Sequence, residues 1–322
     1  MSLEHPTRRR AITIFAATAA GLCLGAPARA RPDYEWRGTA MGSYARIVFS
    51  GADPALAQKA AAAVEAEIER LEGALSLFRP QSEICRLNRD GRLAHPSADF
   101  RRCLSLALGV AEATNGLFDP TVQAFWETYA DWFVRDGRAD PLPAEMLAKA
   151  RAQVDWRKIG LRSDSAELGP GQRITLNGLG QGYVTDRAAD QLHAAGYSHV
   201  LVDLGEQRAL GAQSDGQPWQ VARAGAEPIP LADQALATSE GAGCVLNARL
   251  DVHHLFDPRS GDSARHWRRM IVSHAQAALA DALSTALYIA HPEEIRRIVE
   301  QFPGAKAWGT AADGSEQVWT SA

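Results

Sequence analysis

The chain has 322 residues, 46% of them hydrophobic and 22% charged, with a formal net charge of −4. This is the balance of a globular protein with an ample core, and it excludes a disordered or fibrous chain. Acids and bases are interspersed with no basic run beyond residue 30, so nothing in the charge pattern supports a nucleic-acid partner.

In chain order, the first segment reads as an export signal over residues 1–30. Arg8, Arg9 and Arg10 give a positive start, Ala11 to Ala26 an apolar middle, and Ala28-Arg29-Ala30 a small-residue cleavage site. Thr7-Arg8-Arg9-Arg10-Ala11-Ile12 has the form of a twin-arginine signal, although a short arginine run also suits the general route. Cys23 follows Leu22, where a lipid-attachment site would have a small residue. No later segment approaches the roughly twenty apolar residues of a membrane span. The expectation is a soluble, exported, periplasmic mature chain over 31–322. Its three cysteines, Cys85, Cys103 and Cys244, are odd in number and lack CxxC spacing, which gives no footing for a disulfide scaffold or structural zinc.

Tyr44 to Phe49 alternates like a strand, and Asp53-Pro54 has the cap chemistry to open a helix reaching Leu71. A short helix restarts at Ser82, and another spans roughly Ala98 to Ala113, stopping at Asn115-Gly116. Residues from Pro120 to Arg151 have a helical pattern. The second half then reads as strands at Ile174–Leu176, His199–Asp203, Trp219–Ala222, Ala235–Thr238, His253–Phe256 and Arg269–His274. The fold class expected is α+β, a helical N-terminal part packed on a sheet-rich C-terminal part, with no repeat or linker marking a boundary.

Three constellations could carry chemistry. The first is Thr175 to Tyr183, a segment running through Gly178, Gly180 and Gly182 into a helix that continues to Ala195. Free backbone N–H groups at such a junction bind phosphate, while the same glycines equally suit a tight turn that binds nothing. A Rossmann turn is the rival, with Asp203 as the ribose acid, but the third glycine of GxGxxG would fall at Thr185. The second is Asp281 with Thr285, four apart on one face of a helix from Gln276 to about Ala290. Carboxylate beside hydroxyl suits a hard cation such as magnesium, and it equally suits an N-terminal acid with a back-bonded threonine. The third is His253-His254 entering the turn Asp257-Pro258-Arg259-Ser260-Gly261. On a strand the two rings point to opposite faces, so at most one faces a site, as base, ligand or satisfied structural group.

Together and in this order, these segments resemble the FAD:protein FMN transferase family across nearly the whole mature chain. Thr39-Ala40-Met41-Gly42-Ser43 is similar to the family's opening segment. Leu77 to Ile84 with Asn88, Leu117-Phe118-Asp119-Pro120-Thr121-Val122, the glycine turn, Val202-Asp203-Leu204-Gly205, Ala237-Thr238-Ser239, the stretch from His253 to Gly261 and Ala280 to Leu287 then follow in family order. The resemblance implies one transferase domain over 31–322. It implies that FAD is held by Met41, Phe78, Leu117, Phe118, Asp119, Thr175, Gln181 and Leu255. It further implies magnesium held by Asp281, Thr285 and a backbone oxygen near Gly178, His254 at the proton transfer, and a flavoprotein acceptor with a Thr or Ser target.

Several residues depart from the family pattern. Gln181 stands for a lysine, Thr175 for an aspartate and Phe78 for a tyrosine, Ser239-Glu240-Gly241 interrupts a Ser-Gly pair, and Gly205-Glu206-Gln207 stands for Gly-Gly-Asp. These departures resemble the exported accessory factors of nitrous oxide reductase, which would make a nitrous oxide reductase maturation protein the acceptor. Hydrolysis of FAD to FMN and AMP, or flavin delivery without catalysis, would use the same binding residues.

Overall fold

The computed structural model describes residues 34–223 and 225–321; the export signal expected over 1–30 lies outside the described residues. Its centre is an eight-stranded sheet of β1 (Tyr34–Ala40), β2 (Ser43–Phe49), β3 (Val200–Asp203), β4 (Gln207–Leu210), β5 (Ala235–Glu240), β6 (Trp267–His274), β7 (Lys306–Ala311) and β8 (Glu316–Thr320). Every neighbouring pair is antiparallel and the strands lie side by side in chain order. The class is α+β, as expected. The two halves are not segregated, because the N-terminal hairpin β1–β2 forms one edge of the sheet that the C-terminal strands complete.

The central strands alternate between two apolar layers, as a sheet covered on both faces requires. Ile47, Phe49, Val200, Val202, Met270 and Val272 face the main core with the long helices. Leu201, Ala209, Leu236, Ile271 and Trp308 face the other way, under a hairpin formed by Trp219–Arg223 and Ala226–Leu231. A third apolar cluster joins Phe125, Tyr129 and Phe133 to Phe256.

The helices are α1 (Pro54–Leu75), α2 (Glu83–Asp90), α3 (Ala98–Ala113), α4 (Gln123–Ala130), α5 (Ala144–Arg151), α6 (Asn177–Ala194), α7 (Ala277–Ile289) and α8 (Pro292–Val299). Asp53 caps α1 by accepting from the Ala55 and Leu56 amides, and Ala57, Ala61, Val64, Ile68, Leu71 and Leu75 form its buried stripe. That stripe carries α1 one turn past the expected end at Leu71. On α3, Asp99 ties three helices together, accepting from Tyr183 of α6 and Arg70 of α1 at 2.7 Å each.

Two expected strands are not strands. The Ile174–Leu176 segment pairs with no strand: the Thr175 amide donates to the Pro120 carbonyl, and Ile174 is held by a side chain. Asn88 donates to the Ile174 carbonyl and accepts from the Ile174 amide, both at 2.8 Å, which mimics a strand partner without one. Of His253–Phe256 only His253 lies in a strand, Val252–His253, and Phe256 makes a single bridge. The helical pattern from Pro120 to Arg151 breaks into a 3-10 turn at Pro120–Val122, α4, a wide turn at Asp131–Arg135, and α5. Helix α8 and strands β1, β4, β7 and β8 went unread in the sequence.

Helices α6 and α7 cross so closely that a Cβ on Gly182 would lie 2.3 Å from the Ala277 carbonyl oxygen. Asp186 of α6 caps α7 from outside, accepting from the Ala277 and Ala278 amides, while Gln276 at the cap position makes no side-chain cap bond. Asp186 is itself held by Arg208 at 2.8 Å. Gly182→Ala is therefore expected to cost about 1–3 kcal/mol, since the helices must separate. Gly73→Ala, on the exposed side of α1 with nothing within 4 Å, should instead gain about 0.5–1 kcal/mol of helix propensity. Urea unfolding midpoints test both, and equal behaviour of the two variants would refute the crossing as a close-contact constraint.

Candidate active site

One cavity of about 1650 Å³ opens between the helical layer, the sheet and the Val252–Phe256 segment. Its volume exceeds the roughly 300–1,000 Å³ of ordinary small-ligand sites. Met41, Phe78, Leu117, Phe118, Asp119, Thr175, Gly178, Gln181, His254, Leu255, Asp281 and Thr285 all line it, so every site residue named from the sequence converges on one place.

Backbone geometry presents the apolar members. Met41 and Gly42 turn β1 into β2 with φ of 51° and 82°, and the Met41 amide donates to Glu72 of α1 at 2.7 Å. The Met41 methyl lies over Gly180, where a Cβ would be 3.5 Å from it. Asn115 and Gly116, also at positive φ, release the chain from α3 so that Leu117 and Phe118 enter the wall. Phe78 is 41% exposed, unusual for a phenylalanine and suited to a flat ring partner.

The polar candidates divide by what they already do. Asp119 is buried and spends its carboxylate on the Thr121 amide and hydroxyl and the Trp156 amide. Burial nonetheless pushes its carboxyl above the ordinary range. It therefore shapes the loop that carries Phe118. Thr175 Oγ1 accepts from the Asn177 amide at the start of α6. Gln181 donates to Ser43 Oγ at 2.7 Å and packs on Gly205, where a Cβ would lie 2.6 Å from its amide nitrogen. Gly205, with φ of 107°, has no tolerance for a side chain there.

Asp281 lies in α7 with 5% of its surface exposed, and its Oδ2 accepts from the Gly182 amide at 3.0 Å. Gly178 lies four residues before Gly182 in α6, the spacing at which a helix carbonyl points toward that amide. Thr285 sits one turn on from Asp281, and a Cβ on Gly178 would be 3.3 Å from its hydroxyl. Its Oγ1 lies 3.4 Å from Ser239 Oγ, which in turn bonds Ser284 at 2.8 Å. Burial pushes the Asp281 carboxyl well above its usual range, and it forms no ion pair among the described residues. A buried carboxylate without a cationic partner, beside a hydroxyl and a helix carbonyl, is a donor set that fits a hard divalent cation. Among the described residues no three His, Cys, Asp or Glu side chains are grouped to hold a metal ion, so this site relies on the hydroxyl and the carbonyl.

The two histidines part as their spacing requires. His253 is buried, with Nε2 against the Ala264 carbonyl at 2.9 Å and Nδ1 accepting from the Leu255 amide, a satisfied structural group. His254 lines the cavity, and its Nδ1 lies 3.3 Å from the Cys244 carbonyl. Donation there leaves Nε2 as the ring's lone-pair nitrogen. Burial, aided by the neighbouring His253, lowers its pKa to about 4, so the ring is neutral at physiological pH.

The structure overturns the Rossmann alternative, since Asp203 ends a strand of an antiparallel sheet and pairs with Arg46 at 3.2 Å. The sequence reading missed Trp126, Cys244 and above all Glu206 in the cavity wall. Glu206 occupies the tight turn between β3 and β4, with 8% of its surface exposed. An acid beside Gly205 just after the apolar strand Val200–Asp203 was the available signal.

The model of the ApbE family matches residues 41–308. The FAD:protein FMN transferase of Haemophilus influenzae is 26% identical over 316 residues, 91% of this chain and 91% of its own. The apo crystal structure of the flavinyl transferase ApbE of Pseudomonas stutzeri superposes with a TM-score of 0.74 at 25% identity, covering 88% of this chain and 94% of that one. The ApbE protein of Thermotoga maritima gives 0.77 at 24% identity over 89% and 96%, a likeness of fold. With its cavity residues drawn from both ends of the matched segment, the chain belongs to the ApbE family.

Proposed function

We propose that this protein transfers FMN from FAD to a Thr or Ser hydroxyl of an exported flavoprotein, with release of AMP, in the periplasm. The observation that carries the reading is the convergence of residues from Met41 to Thr285 on one cavity, in the order of the family pattern. The names of the relatives support flavin transfer, and the signal-like segment 1–30 supports export. The departures at Gln181, Thr175 and Glu206 favour an acceptor of the nitrous oxide reductase maturation class.

In this reading Phe78, Phe118, Met41 and Leu255 supply flat and apolar contacts for the flavin and adenine ends. Asp281, Thr285 and the Gly178 carbonyl would hold magnesium, which supplies charge neutralisation at the pyrophosphate. The acceptor hydroxyl oxygen bonds to the FMN-side phosphorus as the bond from that phosphorus to the AMP-side bridging oxygen breaks. His254 Nε2 takes the hydroxyl proton, a role open to it because burial keeps the ring unprotonated. Gln181 cannot carry the charge of a lysine, so its bond to Ser43 positions the β1–β2 turn rather than an anion.

Incubating the mature chain with FAD, magnesium and a candidate exported acceptor should give AMP and an acceptor heavier by FMN. AMP without that gain would replace transfer with hydrolysis, and FAD binding with neither product would leave a carrier. Asp281→Ala and Thr285→Ala should each abolish magnesium-dependent turnover with the fold intact by circular dichroism; full activity in both would remove the cation assignment.

The His254 ring should titrate near pH 4 by NMR, assigned by loss of its signal in His254→Asn. Because the folded pKa is below the unfolded one, this group's contribution to stability is complete above about pH 6.5 and is lost as pH falls toward 4. His254→Asn should lose less stability than the unmodified chain across that window, and should lower turnover about 10²–10⁴-fold. A midpoint near 6.5 would refute the buried-base role.

A further inference from the structure

The cavity holds a second carboxylate that the family pattern does not call for. Glu206 is nine-tenths buried and lines the same wall as Asp281. Its Oε2 accepts from the Thr238 amide at 3.2 Å, and no basic side chain pairs with it among the described residues. The same face of α6 fixes both acids. Gly182 donates to the Asp281 side chain, and Thr185, three residues on, donates to the Glu206 carbonyl at 3.1 Å. Thr238, which holds the Glu206 carboxylate, is followed in the same strand by Ser239, whose hydroxyl lies 3.4 Å from Thr285 Oγ1. Two buried carboxylates without basic partners carry a combined charge that one divalent cation balances, whereas a single carboxylate would leave such a cation half compensated.

We infer that Glu206 is the second carboxylate of the divalent-cation site formed by Asp281, Thr285 and the Gly178 carbonyl, a feature of this chain at the position where Gly205-Glu206-Gln207 stands for Gly-Gly-Asp. The inference rests on the flavin-transfer reading of the cavity and deepens it. Glu206 draws the cation toward the sheet side of the cavity, while Asp281 holds it from the helix side. The arrangement favours ions that accept two carboxylates with few waters, so manganese and calcium should compete well against magnesium, which keeps its waters more firmly.

The test is titration of the flavin-free protein with manganese(II), read as loss of the free-ion electron paramagnetic resonance signal. Glu206→Gln keeps an oxygen for the Thr238 amide and removes only the charge, so it should fold normally and be at least as heat-stable as the unmodified chain without metal. It should bind manganese about tenfold more weakly or worse, with Glu206→Asp intermediate and Asp281→Asn without binding. Affinity for Glu206→Gln within about twofold of the unmodified protein, while Asp281→Asn loses binding, would overturn the role of Glu206 and leave the transfer reading standing. Unchanged binding in Asp281→Asn, or none in the unmodified protein, would overturn the cation site itself and the role of Glu206 with it.

Discussion

The contact between α6 and α7 sets the geometry of everything around it. It is a backbone approach, closed by the missing side chain of Gly182 and pinned by Asp186 across the start of α7. Because Asp186 satisfies orphan amides that α7 cannot cap for itself, the position of α7 is dictated by α6 rather than by its own sequence. Asp281 and Thr285 ride on one helix and Gly178 and Gln181 on the other, so the clasp fixes their separation. A site built from helix side chains would drift with any relaxation of this crossing, and the glycine leaves it little room to relax.

The charges of the cavity follow a gradient of compensation. Arg46 with Asp203 and Arg269 with Glu240 are paired, and their side chains are partly exposed. Asp281 and Glu206, deeper, have no basic partner among the described residues. Exposed pairs stabilise little and tolerate exchange, whereas unpaired buried charges persist only where something else uses them. The fold thus bears an electrostatic cost at Asp281 and Glu206, and that place is where the family pattern locates chemistry.

Much of this was legible in the sequence because the informative signals were local. The cap at Asp53, the stop at Asn115-Gly116 and the four-residue spacing of Asp281 and Thr285 are matters of neighbouring residues, and each produced the element expected. The failures are non-local. Ile174–Leu176 reads as a strand by composition, but its partners are the Asn88 side chain and the Pro120 carbonyl, both distant in sequence. Strands β7 and β8 were invisible because their register depends on β6, and β1 because it depends on its pairing with β2. Glu206 was noticed as a departure yet not as a site residue, since only the fold brings it to Asp281. Asp119 illustrates the converse, where position in the wall was foreseen and its occupation by Thr121 and Trp156 was not.

The meander order of the sheet has a kinetic meaning. Strands β1 and β2 must wait for β3, separated from them by α1 to α6, and α7 arrives later still. The cavity needs Met41 from the first hairpin and Thr285 from α7, so no shorter folded intermediate contains it. Closing such distant contacts is slow compared with forming the helices between them. Flavin binding at this cavity is therefore a signature of a chain folded from its first hairpin through α7, since no part of it alone supplies the lining.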